Sequence, residues 1–206
     1  MYTLYGTNQT GTCAIQAALA EAGILFKFVE ISTRDGQHLP ESYRRINPRQ
    51  QVPALRLPDG VIITEGPAIL LHLADAHPES QLAPTPGSSK RSLMNRWLIY
   101  FCVNVYEGEL RKLFGERYTT DSSGAKGVQA AAVDYVNRHY KIFEEFIDDK
   151  PFVFGEQLTV LDIYVWMLAQ WMDGPWLSRN CPKISALAEQ VKSRPHITPI
   201  HQANFG

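Results

Sequence analysis

A chain of 206 residues has room for one large domain or two small ones. Its 20 Lys and Arg against 21 Asp and Glu leave a formal net charge of −1. That balance argues against a basic nucleic-acid groove and against a strongly acidic solvating protein. With 45% hydrophobic residues, among them 4 Trp, 9 Tyr and 9 Phe, the chain has ample material for a packed core. Cys13, Cys102 and Cys181 are odd in number and too far apart for a disulfide framework, and no CxxC or Cys/His cluster suggests zinc. The opening MYTLYGTNQTG lacks the basic and apolar regions of a signal peptide. The most apolar stretch, around Leu98 to Val105, is interrupted by Asn104 and Glu107, short of the ~20 residues that span a bilayer. The expectation is a soluble cytoplasmic protein with no metal, membrane or nucleic-acid partner.

Along the first half the hydrophobic period switches repeatedly. Tyr2 to Tyr5 reads as a short strand, and the Ala-rich run Thr12 to Ala22 as a helix closed by Gly23. Ile24 to Ile31 alternates like a strand, and a short helix is expected near Glu41 to Arg45. Val52 to Leu57 and Val61 to Ile63 flank Pro58-Asp59-Gly60, a hairpin turn signal. Pro67 to His77 is helical again, which gives the order β-α-β-α-β-β-α. The segment His77 to Arg91, rich in proline and serine, is the best boundary in the chain and separates residues 1–79 from 88–206. Beyond it the pattern is helical throughout: Ser89 to Leu113, Ala125 to Asp149, Val160 to Met172 and Ile184 to Ser193. A βαβ-type half followed by an all-helical half is predicted.

Three ordered landmarks carry a resemblance. Asn47-Pro48-Arg49-Gln50-Gln51-Val52-Pro53-Ala54-Leu55 resembles an NPxxxVPxL pattern, Glu65-Gly66-Pro67-Ala68-Ile69 an ESxAI pattern, and Gly155-Glu156-Gln157-Leu158-Thr159-Val160-Leu161-Asp162 a Gx3S/TxxD pattern. Together they are similar to the glutathione S-transferase superfamily. The resemblance implies an α/β thioredoxin-like N-terminal domain, an all-α C-terminal domain and a homodimer. It implies a cis Val52–Pro53 bond, with the Val52 backbone pairing to the cysteinyl unit of glutathione. It also implies that Glu65 and the helix start at Gly66 hold the γ-glutamyl group. Gly66 stands where the family has serine, so a hydroxyl is missing, and Pro67 removes the next N–H. The same resemblance brings in Gln9, Gln51 and His38 as glutathione contacts, and Tyr100, Asn104 and Tyr106 as an electrophile pocket. Thr159 to Asp162 reads as a capping box, with Leu158 and Ile163 as its hydrophobic staple.

Glutathione chemistry requires a thiolate, and a free thiol near pKa 8.5 is mostly protonated at neutral pH. Family members supply a Tyr at the end of the first strand, or a Ser or Cys before the first helix. The Tyr position falls on Gly6, while Tyr5 points to the opposite face of the strand and belongs to the core. The other position falls in Thr10-Gly11-Thr12-Cys13, making Thr10 the first candidate donor and Thr12 the second; Thr12 is equally an N-cap. Cys13, one turn into the helix, reads as a packing residue. The resemblance thus implies conjugation of glutathione to a small hydrophobic electrophile. A glutathione-dependent isomerase, dehalogenase or peroxidase, and a non-catalytic binding member of the family, leave the same signature.

Overall fold

A computed structural model describes residues 1–33 and 40–206. The first half contains β1 (Tyr2–Gly6), α1 (Thr12–Glu21), β2 (Phe26–Glu30), α2 (Glu41–Arg44), β3 (Ala54–Arg56), β4 (Ile62–Thr64) and α3 (Gly66–Ala76). The sheet order is β2-β1-β3-β4, with β1 and β2 parallel and the other two pairs antiparallel. This is the mixed thioredoxin-like sheet, and the strand and helix order follows the period reading. Helix α1 buries Cys13, Ala14, Ile15, Ala17, Ala18 and Leu19 against the core. It stops where Gly23 adopts φ +66 and the Ile24 N–H returns to the Leu19 carbonyl, a left-handed cap that glycine enters without a Cβ penalty. The β3–β4 turn closes through Leu57 N–H to Val61 O at 2.7 Å, with Gly60 at φ +94.

Arginine side chains help tie the halves together. Arg91 is nearly buried and bonds Asp75 Oδ2 at 2.7 Å, Asn95 Oδ1 at 3.0 Å and the Pro84 carbonyl at 3.4 Å. Arg194 reaches back to the buried Glu21 carboxylate at 2.6 Å.

The second half is helical. The stretch read as one helix is α4 (Ser89–Tyr100), a π-helical segment (Phe101–Tyr106) and α5 (Glu107–Leu113) in succession. Helices α6 (Ala125–Phe146), α7 (Val160–Ala169), α8 (Gly174–Asn180), α9 (Pro182–Lys192) and α10 (Thr198–Phe205) follow. All ten residues of α7 are buried, so it is apolar around its circumference and packs on α1, α3, α4 and α9 at once. Its start is the expected capping box. Asp162 Oδ2 accepts from Thr159 N–H at 2.7 Å and Thr159 Oγ1 at 2.6 Å, while Oδ1 takes the Val153 N–H at 2.8 Å. Helices α8 and α10 carry no clear period in the sequence. The first is set by Asp173 capping Trp176 N–H at 2.7 Å, and both have Pro in their first turn.

Candidate active site

Between the sheet and the long helix lies a cleft of about 80 Å3. Its sheet-side wall contains Gly11, Asn47, Arg49, Gln51, Val52, Pro53, Thr64, Glu65 and Gly66, and its helical wall Cys102, Tyr106, Glu107, Leu110 and Tyr164. The loop before β3 is shaped by Asn47, which is buried. Its side-chain amide donates to the Gln51 carbonyl at 2.7 Å, and its Oδ1 accepts the Arg49 N–H at 3.0 Å. The Tyr43 hydroxyl donates to the same Gln51 carbonyl at 2.8 Å. With that carbonyl held twice, the chain enters the Val52–Pro53 bond, which is cis.

Across the cleft, Glu65 is the N-cap of α3 at φ 65, ψ 109, a conformation rarely adopted by a residue with a side chain. Strain of this kind costs on the order of 1–3 kcal/mol and clusters at ligand sites. The Glu65 carboxylate is paired with Arg49 Nη1 at 2.8 Å and accepts from Thr64 Oγ1 at 3.4 Å. Gly66 and Pro67 begin the helix; the Gly66 N–H faces no intrahelical partner, and Pro67 has none to offer. A Cβ on Gly66 would stand 3.6 Å from the Tyr164 ring, ordinary contact, so crowding does not enforce the glycine.

The loop before α1 is ordered internally. Thr10 Oγ1 lies 2.7 Å from the Thr7 carbonyl and 2.8 Å from Thr12 Oγ1, and accepts the Thr12 N–H at 3.2 Å. Thr12 is fully buried beneath Gly6, where any Cβ would collide with its side chain. The space beside Gly6 is therefore filled by the Thr12 side chain. Cys13 is also fully buried, and loss of solvent pushes its thiol well above the ordinary range. It is a packing residue. Tyr5 is buried in a second small cluster with Tyr43 and Ala54.

Of the residues singled out in the sequence, Gln51, Val52, Pro53, Glu65, Gly66 and Tyr106 line this one cleft. Thr10 and Thr12 sit behind it, with Gly11 between them at its surface. Gln9, at φ 61, lies on the outer side of the same loop, where its N–H donates to Asn204 Oδ1 of α10 at 2.9 Å. Tyr100 and Asn104 face α6 instead: Tyr100 Oη is bonded to His139 Nδ1, and Asn104 Oδ1 accepts from the Tyr135 hydroxyl at 2.7 Å. His38 lies outside the described residues.

Known proteins match this arrangement along the whole chain. The family models of the glutathione S-transferase N-terminal and C-terminal domains match residues 14–76 and 110–199. The uncharacterized GST-like protein YncG of Escherichia coli K12 is 31% identical over 99% of this chain and 98% of its own. Glutathione S-transferase D7 of Drosophila melanogaster is 31% identical over 93% of this chain and 83% of its own. A glutathione transferase homolog from Sulfitobacter, solved with bound glutathione, superposes with a TM-score of 0.91 at 26% identity, covering 100% of this chain and 99% of that one. The chain belongs to the glutathione S-transferase superfamily.

In this glutathione S-transferase-family chain the helical wall adds Cys102, Glu107, Leu110 and Tyr164 to the Tyr106 that the sequence had singled out. Cys102 and Tyr106 lie on the π-helical segment, a distortion that recurs at functional sites. Tyr164 comes from α7 and is buried beside Cys102. Arg49, the partner of Glu65, lies inside the NPxxxVPxL pattern at a position that pattern leaves open. Burial raises the Cys102 thiol, and Glu65 and Glu107 push it the same way.

Proposed function

We propose that this protein is a cytoplasmic, homodimeric glutathione transferase that joins the glutathione thiolate to a small hydrophobic electrophile. The observation that carries the reading is the convergence on one cleft of the α3 N-terminus at Gly66, the carboxylate of the backbone-strained Glu65 and the Gln51–Val52 backbone. A γ-glutamyl carboxylate suits the positive end of α3, and the adjacent ammonium suits Glu65. The extended Val52 segment offers backbone pairing to the cysteinyl unit. Gln51 and Arg49 offer an amide and a cation to the remaining polar groups. Leu110 and the Tyr106 and Tyr164 rings supply apolar area for the electrophile. In the reaction the thiol proton passes to water, the sulfur bonds the electrophilic carbon, and the leaving group departs with its electron pair. The protein contributes orientation and thiolate stabilisation.

For the dimer, Ile99 and Val103 lie one helical turn apart and are 58% and 54% exposed, a patch a second copy would cover.

Titration calorimetry tests the reading. Glutathione should bind in the millimolar range or tighter, and Glu65→Gln, which keeps the side chain's shape and removes its charge, should weaken binding at least tenfold. Absence of binding by the wild-type protein would transfer the reading to a non-catalytic interaction protein on the same fold.

A further inference from the structure

Several of the groups that line the cleft could in principle donate a proton to a bound thiolate, yet most are already engaged. The Arg49 guanidinium is paired with Glu65, the Asn47 amide with the Gln51 carbonyl, and the Thr64 hydroxyl faces Glu65. The Tyr164 side chain is buried beside Cys102. Behind the cleft, the Thr10 hydroxyl is held between Thr7 O and Thr12 Oγ1. Among the described residues, the half-buried hydroxyl at the cleft with no hydrogen bond assigned to its proton is that of Tyr106.

Its placement is specific. Tyr106 ends the π-helical segment, stacks parallel to the Tyr164 ring at 6.5 Å and meets the Trp171 ring edge-on at 5.3 Å. These contacts aim its phenol at the N-terminus of α1. A Cβ on Gly11 would stand only 3.0 Å from the phenol oxygen, so glycine leaves that oxygen its place. The Gly11 backbone N–H is directed at the same oxygen and favours its ionised form.

We infer that Tyr106, resting on the glutathione reading above, is the catalytic hydroxyl that donates a hydrogen bond to the glutathione thiolate. The group comes from the helical half of the molecule and does the work that Gly6 and Thr10 do not do from the sheet half. The thiol proton leaves to water, and the phenol keeps its own and shares it with sulfur. The Gly11 N–H, at the positive end of α1, polarises the phenol and makes it the stronger donor, so the helix acts on sulfur through one intervening hydroxyl. Burial pushes Tyr106 up to about 12, which keeps it protonated and competent as a donor across the neutral range.

The test is an ultraviolet titration of the thiolate of bound glutathione in the wild-type protein, Tyr106→Phe and Gly11→Ala, with calorimetric affinity measured alongside. In Tyr106→Phe the affinity should stay within about threefold, while the thiol titration moves up by about one pH unit and turnover of an activated aryl halide at neutral pH falls about tenfold. Gly11→Ala, which displaces the phenol without removing it, should move the titration in the same direction. An unchanged titration in Tyr106→Phe with glutathione still bound overturns this inference and leaves the glutathione site standing. Loss of binding by the wild-type protein removes both.

Discussion

The two walls of the cleft are made differently. The sheet wall presents mainly backbone: the Gln51–Val52 segment, the α3 start at Gly66 and the Gly11 turn, with Asn47 and Tyr43 pinning the loop behind them. The helical wall presents side chains, Cys102, Tyr106, Glu107, Leu110 and Tyr164, carried on helices whose position is set by the core. A backbone wall holds a ligand through groups that every residue has, so its shape depends on a few anchors and turn residues. A side-chain wall depends on which face each helix turns to the cleft, and small changes there alter chemistry without altering the fold. The difference predicts that changes to the helical wall's foundations act through stability, changes at the Gly11 turn that meets Tyr106 act through the rate, and changes at the α3 start act through affinity.

The largest effect should come from Asp162. It caps α7, two residues before Tyr164, and is fully buried. Asp162→Ala leaves the Val153 and Thr159 N–H groups without an acceptor, at about 1–3 kcal/mol each, so a loss of roughly 3 kcal/mol or more is expected in urea unfolding. Burial raises this carboxyl to about 6, against about 4 in the unfolded chain. Between those values the native state holds a proton that the unfolded state has released, so this group's contribution falls as pH rises from about 4 to about 6. The stability difference between wild type and variant should therefore be greatest near pH 4 and smaller above pH 6. A difference that grows with pH would contradict that assignment.

The sheet wall was legible because its anchors sit in short contiguous motifs. Asn47 to Leu55 and Glu65 to Ile69 each build their loop from neighbouring residues, and Thr159 to Asp162 caps its helix locally. The helical wall was not legible in the same way. Aromatic and polar residues on the long helix suggested Tyr100, Asn104 and Tyr106, but composition does not say which face meets the cleft. In the fold, Tyr100 and Asn104 turn toward α6, while Cys102 and Tyr106, one turn apart and offset by two residues, turn inward. The π-helical segment that carries them has no sequence signature at the level of hydrophobic period. Helix α10, eight residues long, gave no signal either, yet it supplies Asn204 to a loop 195 positions away in the chain.

Asn204 offers the next test, since it joins the two halves at the turn that presents Gly11. It is buried; its Oδ1 accepts the N–H of the left-handed Gln9, and its Nδ2 bonds the Ile200 carbonyl at 2.9 Å. The adjacent Asn8 amide also reaches α10, at the Ala203 carbonyl. Asn204→Ala should loosen the Thr7–Gly11 turn and lower kcat about tenfold with a smaller change in KM, at a stability cost of about 1 kcal/mol. Asn204→Asp retains the acceptor that Gln9 needs and should recover most of the rate. Equal loss in both variants, following their stability alone, would reduce Asn204 to a packing role.

The smallest expected effect is a gain. Gly66 stands where the family pattern has serine, and a β-carbon at that position would lie 3.6 Å from the Tyr164 ring, which leaves ordinary room for a side chain. Its backbone carries no left-handed φ, so a β-carbon brings no conformational penalty there. Gly66→Ser should therefore fold normally and gain a little helix propensity over glycine. If the γ-glutamyl carboxylate sits at the α3 N-terminus, the new hydroxyl adds one hydrogen bond to a charged group, about 1.5 kcal/mol, or roughly tenfold in affinity. The increase should appear in Kd and leave the thiol titration untouched, because Gly66 belongs to the backbone wall and Tyr106 to the other. A shift in the titration without a gain in affinity would mean that the two walls are not separable, and that the helical side senses the residue that starts α3.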